Sequence, residues 1–467
     1  MQRRPRVVII GGGFGGLAAA RGLARAPVVI TLIDRRNHHL FQPMLYQVAT
    51  AGLNPGDIAY PIRAALARQR NARVLLATAT SIDVANRRVT LDDGVLDYDY
   101  LVVATGATHS YFGRDDWAPV APGLKSVEDA LDIRRRIFLA YEAAERESEP
   151  AAQSEWLTFA VVGAGPTGVE LAGALGEIGM QTLAHDFRAI DPTKVRVVLF
   201  EGRDRILGTF PAKLAAAAQR ALERRRVDVR LNTRVTAVDA CGVTVQTGGR
   251  DERIGARTVL WAAGVRASSL AATLGSPRDP SGRVEVLPDL SIPDHPEVFV
   301  IGDLAKVAMS DGTQVPGVAQ GALQGGRYVA KRIAAEAGGA AAKAQKPLRP
   351  AFRYRDRGNM ATVGRADAVI ATRHFTHHGL VAWLLWWALH IAFLVGFRNR
   401  ALMMFHWAWS WLTYKRGARL ITGSLGPLPA IRSLSSDARF ATLLAPSAVA
   451  LDPAAGLQRP SPPTALP

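Results

Sequence analysis

Residues 6–10 (RVVII) form the first apolar run of the chain, with no polar position after Arg6. An unbroken run of this kind suits a strand buried on both faces, as in a parallel sheet, whereas a half-exposed strand would alternate. Gly11-Gly12-Gly13-Phe14-Gly15-Gly16 follows at once, and then LAAARGLARA, whose small and unbranched side chains favour a helix. A second apolar run at 28–33 stops at Asp34. The same order returns later: an apolar run at 159–162, then Gly163-Ala164-Gly165-Pro166-Thr167-Gly168, then VELAGALGEIG, and a run at 195–200 that stops at Glu201. Two more runs, 100–106 (YLVVATG) and 298–303 (VFVIGD), stand before and after this second set.

Strand, glycine turn, helix and terminal acid together make the pattern of a dinucleotide-binding unit. Gly11 permits the tight turn, Gly13 lets the backbone approach a pyrophosphate, and Gly16 lets the helix pack on the strand. Gly163, Gly165 and Gly168 hold the equivalent places in the second copy. Asp34 and Glu201 each stand where a carboxylate accepts a hydrogen bond from a ribose hydroxyl. At Glu201 that carboxylate favours NADH over NADPH, whose 2′-phosphate it repels, while Arg203 two residues on works against the preference. The order of the runs predicts an α/β fold of two Rossmann-like domains, one inserted in the other. The outer domain takes 1–120 and 289–338, the inserted one 121–288 with its core at 155–288, and 339–375 forms a linker and C-terminal strands.

Composition narrows the chemistry. Cys241 is the only cysteine, so no internal disulfide, no redox cysteine pair and no thiolate metal site can be built. Nor do His38 and His39 find further ligands at metal-binding spacing, so no metal site is expected and they have a structural part in their loop. The net charge of +17 calls for an anionic partner, and its position matters more than its size. No acidic residue lies between Asp367 and Asp437, while Arg373, Arg398, Arg400, Lys415, Arg416, Arg419 and Arg432 supply positive charge there. The same region holds Trp383, Trp386, Trp387, Trp407, Trp409 and Trp411 and an apolar run at 380–397 whose one strongly polar member is His390. Tryptophan and basic residues around apolar helices suit a surface of anionic lipid, so 376–423 is expected to be an amphipathic, membrane-associating helical region. The charge thus points to lipid and not to nucleic acid. A spanning helix and a buried homodimer interface are the competing readings. His374, His377 and His378 read as a solvated loop, and 424–467, rich in Pro, Ala and Ser, as a disordered tail.

The motifs together resemble the two-dinucleotide-binding-domain flavoprotein reductases, and within them the type II NADH:quinone oxidoreductases. The carriers are NHHLFQPMLYQVATAGL (37–53), ATGATHSYFG (104–113), APGLKSVEDALDIRRRI (121–137), VGAGPTGVELAGALGE, VLWAAGV (259–265), VPGVAQGALQGGRYVA (315–330) and GFRNR (396–400). This resemblance implies FAD in the outer domain, NADH as substrate in the inserted one, quinone as acceptor, a homodimer, and a peripheral place on the cytoplasmic face of the bacterial inner membrane. It implies cofactor contacts from Thr105, Gly106, Gly264, Asp303 and Ala319, with Asp303 at the ribityl chain. Glu170 would lie near flavin and nicotinamide, or else serve the helix dipole. Gln320 and Gln324, one helical turn apart, would line the quinone entrance and with Glu170 are the candidate catalytic residues. Gly325 departs from the pattern, since relatives often carry a second consecutive Gln there. A soluble flavoprotein reductase would share both fingerprints but has no use for the apolar segments at 380–412, and a redox-sensing flavoprotein that binds nucleic acid or a partner would carry its basic patch on a soluble domain, whereas here the basic region coincides with the Trp-rich segment.

Overall fold

The structure, a computed structural model, describes residues 3–338, 350–395, 404 and 418–423. The tail at 424–467, the GFRNR motif, the basic residues between 398 and 416, and the 339–349 part of the linker lie outside the described residues.

Two parallel sheets organise the chain. In the larger the order is Ser291–Ile292, His295–Val300, Tyr100–Val103, Arg6–Ile10, Val29–Asp34, Ala72–Leu76, parallel except for the Ser291–Ile292 edge. Val7, Ile9, Leu101 and Val102 at its centre have no exposed surface, which is why those runs lack polar positions. The smaller sheet runs Val227–Arg230, Arg196–Phe200, Thr158–Val162, Thr258–Trp261, parallel throughout. All of it falls between two strands of the larger sheet. The chain crosses between the two units along an antiparallel pair, Ala107–His109 with Val265–Ala267. One expected run divides: the strand stops at Val300, Gly302 turns the chain at φ +71°, and Asp303 sits in the short 3-10 turn Gly302–Leu304.

Beyond the sheets, glycine decides how closely elements approach. The helix Ala319–Ala337 crosses the first fingerprint helix, Phe14–Gly22, so tightly that a β-carbon on Gly326 would lie 2.2 Å from the carbonyl oxygen of Gly15. A C-terminal antiparallel sheet, Asn359–Gly364, Asp367–Ala371 and Thr376–Gly379, packs on the second fingerprint helix, Pro166–Glu177. There a β-carbon on Gly173 would stand 1.8 Å from the carbonyl oxygen of Val363. The contact is fastened by Arg225, whose guanidinium donates to Glu177 Oε1 (3.0 Å), Asp367 Oδ2 (2.9 Å) and the carbonyl of Arg365 (2.8 Å). His377 and His378 are exposed but belong to the edge strand Thr376–Gly379 and not to a loop; only His374 lies in the turn before it.

The apolar run at 380–397 gives a helix of 14 residues, Leu380–Phe393. Among the described residues no helix is long and apolar enough to cross a membrane. Its two faces have different fates. Ala382, Trp386 and Ile391 are buried in the main core, with Trp383, Trp387 and Phe393 packed against them. Leu380, Val381, Leu384, Leu385 and Leu389 form the opposite face and are about half exposed, at 44–52%.

Gly173→Ala is expected to destabilise the protein by about 3 kcal/mol, because neither the fingerprint helix nor the Val363 backbone can yield cheaply. A fall in the midpoint of chemical denaturation checks this, with Ala172→Gly, a cavity-forming change one position away, giving a smaller loss.

Candidate active site

The two glycine turns are built alike. Gly11 (φ +101°) and Gly163 (φ +96°) turn in the left-handed region, and a β-carbon on Gly16 or Gly168 would stand 1.8 Å from the carbonyl oxygen of Gly11 or Gly163. Gly13 and Gly165 differ, for nothing lies within 4 Å of where their β-carbons would be. Each is the N-cap of its fingerprint helix, so the open space lies at the positive end of a helix dipole, lined by unpaired N–H groups. That is a place for a pyrophosphate.

The acids close the same mouths. Asp34 accepts from the N–H of Gly12 through Oδ2 (2.6 Å) and from that of Arg36 through Oδ1 (2.7 Å). Glu201 repeats this with Ala164 (2.9 Å) and Arg203 (3.1 Å). Every carboxylate oxygen keeps a second lone pair for a ribose hydroxyl. Arg203 offers Glu201 only its backbone; its exposed side chain makes no ion pair among the described residues. Beside the first turn, the Thr105 hydroxyl is buried with no hydrogen-bond partner, and Gly106 (φ +67°) lies next to open space. An unpartnered buried hydroxyl costs about 1–3 kcal/mol, so a dinucleotide seated in the first turn fits what the residues leave unsatisfied. Asp303, from its 3-10 turn, faces Gly317, and Gly264 lies under the ring of Phe112.

The three candidate catalytic side chains have distinct settings. Glu170 is the fifth residue of Pro166–Glu177, beyond the first turn where a helix dipole acts strongly. Its carboxyl is enclosed by protein, though part of the residue stays accessible, and accepts from the backbone N–H of Thr362. Burial raises its pKa well above the ordinary 4.5, against the smaller opposing effect of that hydrogen bond. Ala319 opens the helix Ala319–Ala337 after the Val318 cap, and the Gln320 side chain makes no hydrogen bond among the described residues. Gln324 is committed: its Nε2 donates to the carbonyl of Arg355 (3.0 Å) and its Oε1 accepts the Arg355 N–H (2.9 Å). The two glutamines thus differ in their hydrogen bonding although they share a helix face.

A model of the family described as pyridine nucleotide-disulphide oxidoreductase matches residues 5–326. Ndh of Mycobacterium tuberculosis, a type II NADH:quinone oxidoreductase, is 48% identical over 90% of this chain and 91% of its own. The type II NADH:quinone oxidoreductase of Staphylococcus haemolyticus is 32% identical over 79% of this chain and 90% of its own. The chain belongs to the type II NADH:quinone oxidoreductases. Among solved structures, NDH2 of Plasmodium falciparum in complex with NADH superposes with a TM-score of 0.80, covering 90% of this chain and all of that one at 19% identity, which speaks for the fold. In this type II enzyme Cys241, the one cysteine of the sequence, is exposed, with Arg257 Nη1 3.1 Å from its sulfur, so no internal disulfide forms.

One feature of this type II enzyme escaped the sequence reading, a run of aromatic contacts from the first turn to the C-terminal helix. The His39 ring, buried at 3% exposure, donates through Nδ1 to the carbonyl of Gly12 (3.0 Å). Its neighbour Phe14 lies edge-on at 5.0 Å between ring centroids, Phe41 follows at 5.8 Å, and then His390 at 6.0 Å, stacked on Trp386 at 4.1 Å. The signal lay in two places, Phe41 directly after His38-His39-Leu40 and the i, i+4 pair Trp386/His390. Burial lowers His390 to about 4, so the ring is neutral at ordinary pH and its Nδ1–H donates to the Trp386 carbonyl (2.6 Å).

Glu170 links stability to pH. Above pH 4.5 the unfolded chain releases this proton while the folded chain keeps it, so the contribution falls as pH rises until the folded carboxyl ionises. Glu170→Gln is expected to flatten this slope and to be the more stable form at about pH 8. Denaturant titrations of both proteins at about pH 5 and about pH 8 measure it.

Proposed function

We propose that the enzyme carries FAD in its first nucleotide unit, receives NADH in the second, and works on the cytoplasmic surface of a bacterial membrane. The chain is an NADH:quinone oxidoreductase by its family. Gly13, Asp34, Thr105 and Asp303 would hold FAD, which supplies the two-electron carrier between donor and acceptor when bound. Gly165 and Glu201 would seat NADH, the carboxylate opposing a 2′-phosphate.

Reduction of a quinone consumes two protons as well as two electrons. Glu170 keeps its proton above the ordinary carboxylate range and is suited to hand one on. Gln320, with its amide free, is suited to orient an acceptor carbonyl. Gln324 instead holds the returning chain at Arg355 against the same helix and positions the entrance without touching the acceptor.

The observation that carries the membrane reading is the two-faced helix Leu380–Phe393. An apolar stripe of five half-exposed residues with no charge is a surface that water disfavours, and its other face is rooted through Trp386, His390 and Phe41 beside the first nucleotide turn. The anchor and the core element are therefore the same helix, and a truncation at 371 would remove both.

Two measurements test this reading. Gln320→Ala should slow reoxidation of the flavin by quinone about tenfold or more while leaving its bleaching by NADH unchanged, as followed by stopped flow. Gln324→Ala should lower thermal stability and affect both half-reactions less selectively; slowed bleaching with intact reoxidation in Gln320→Ala would refute the division. For the membrane, Leu384→Gln, Leu385→Gln and Leu389→Gln together leave the packed face intact. The triple variant should no longer sediment with vesicles of anionic lipid, should keep its rate with a soluble acceptor, and should lose most of its rate with membrane quinone.

A further inference from the structure

Phe112 is the residue whose backbone and side chain are hardest to account for by folding alone. Its φ of +53° lies in the left-handed region, where a bulky side chain is strained and Gly or Asn would be cheap. Burial does not compensate, for the residue is 70% exposed. Gly113 follows at φ +88°, and the Phe112 N–H reaches only the Ser110 hydroxyl, at 3.4 Å. The loop around it is otherwise firmly held: Ser110 donates to the Gly264 carbonyl at 3.1 Å, and the Ser110 carbonyl accepts from Trp261 Nε1 at 2.8 Å. A well-braced loop thus presents an exposed phenyl in a costly conformation.

The place it points to is specific. The ring sits over Gly264, where a β-carbon would come within 2.7 Å of Cζ, and edge-on to Trp261 at 6.3 Å. Gly264 lies just past the C-terminal end of the strand Thr258–Trp261, and the preceding Ala263 is what Gly163 packs against. Ligands of open parallel sheets bind outside the carboxyl ends of the strands. In the smaller sheet the fingerprint strand Thr158–Val162 separates Arg196–Phe200, which ends at Glu201, from Thr258–Trp261. With its adenine ribose at Glu201 and its pyrophosphate at Gly165, a dinucleotide extends across the fingerprint strand towards the Trp261 side. Its other half then meets Phe112.

We propose that Phe112 is a substrate-positioning residue whose ring packs on the nicotinamide half of NADH as it leaves the second nucleotide unit. The inference rests on the assignment of that unit to NADH. A flat, uncharged phenyl face complements a flat nicotinamide, and the strained backbone keeps the ring in place before the substrate arrives.

The test uses the holoenzyme and two variants, Phe112→Gly and Phe112→Tyr. Stopped-flow bleaching of the flavin against NADH concentration yields a dissociation constant and a limiting rate, and a thermal melt reports on the fold. Phe112→Gly should weaken NADH binding about three- to tenfold, the worth of one aromatic contact. Its melting temperature should be equal or higher, because glycine adopts this φ without strain. Phe112→Tyr should restore the affinity. Unchanged affinity in Phe112→Gly overturns the proposal, as does a loss of affinity that comes with a lower melting temperature or that tyrosine fails to restore. A parent enzyme whose flavin NADH does not bleach overturns this proposal and the NADH assignment together.

Discussion

Two contacts that no side chain could survive set the architecture of this chain. In each nucleotide unit the carbonyl oxygen of the first fingerprint glycine lies 1.8 Å from the space a β-carbon on the last one would need. That approach brings the helix so close over its strand that its N-terminus opens onto the ends of the sheet. It also carries the N–H of the second fingerprint residue to the acid that ends the next strand, at 2.6 Å in one unit and 2.9 Å in the other. Positive helix end, open glycine and fixed carboxylate then arise together, twice, from a steric condition on two positions.

The C-terminal part is joined to this frame by a different device. Its sheet rests on the second fingerprint helix through Gly173 and is tied down by a guanidinium shared among Glu177, Asp367 and a carbonyl. With both carboxylates and Arg225 largely buried, the pairing supplies register more than net stability, since desolvating such charges offsets much of their attraction. The same helix face supplies Glu170, whose carboxyl is enclosed because the strand Asn359–Gly364 lies across it. The altered proton affinity of Glu170 is thus a product of where the C-terminal sheet docks.

Much of this was legible in the sequence, and the boundary has a physical meaning. The glycine spacings, the two acids and most of the unbroken apolar runs are local signals whose consequence is local, and the structure forms the strands and glycine turns where they stand. Asp303 was expected at a strand end and lies in a turn, because one glycine at positive φ bends the chain before it. The bond that holds Gln324 could not be read from spacing: an i, i+4 pair shares a helix face, but its amide partner, Arg355, is 31 positions away. The aromatic contacts to His390 and the strained Phe112 are long-range or conformational facts with no periodicity to announce them. The apolar, Trp-rich character of the segment from 380 was visible as composition, yet only the fold assigns Trp386 to the core and Leu384 and Leu385 to the outside.

That division of one helix into an inward and an outward face bears on how the protein is made. Synthesis proceeds from the N-terminus, so every strand of both parallel sheets has left the ribosome before Leu380 appears. The half-exposed leucine stripe therefore emerges only after both sheets can fold, and the inward residues of its helix find a finished core on which to settle. A permuted gene that encoded this helix first would expose the same stripe beside an unfolded chain, where apolar surface promotes aggregation.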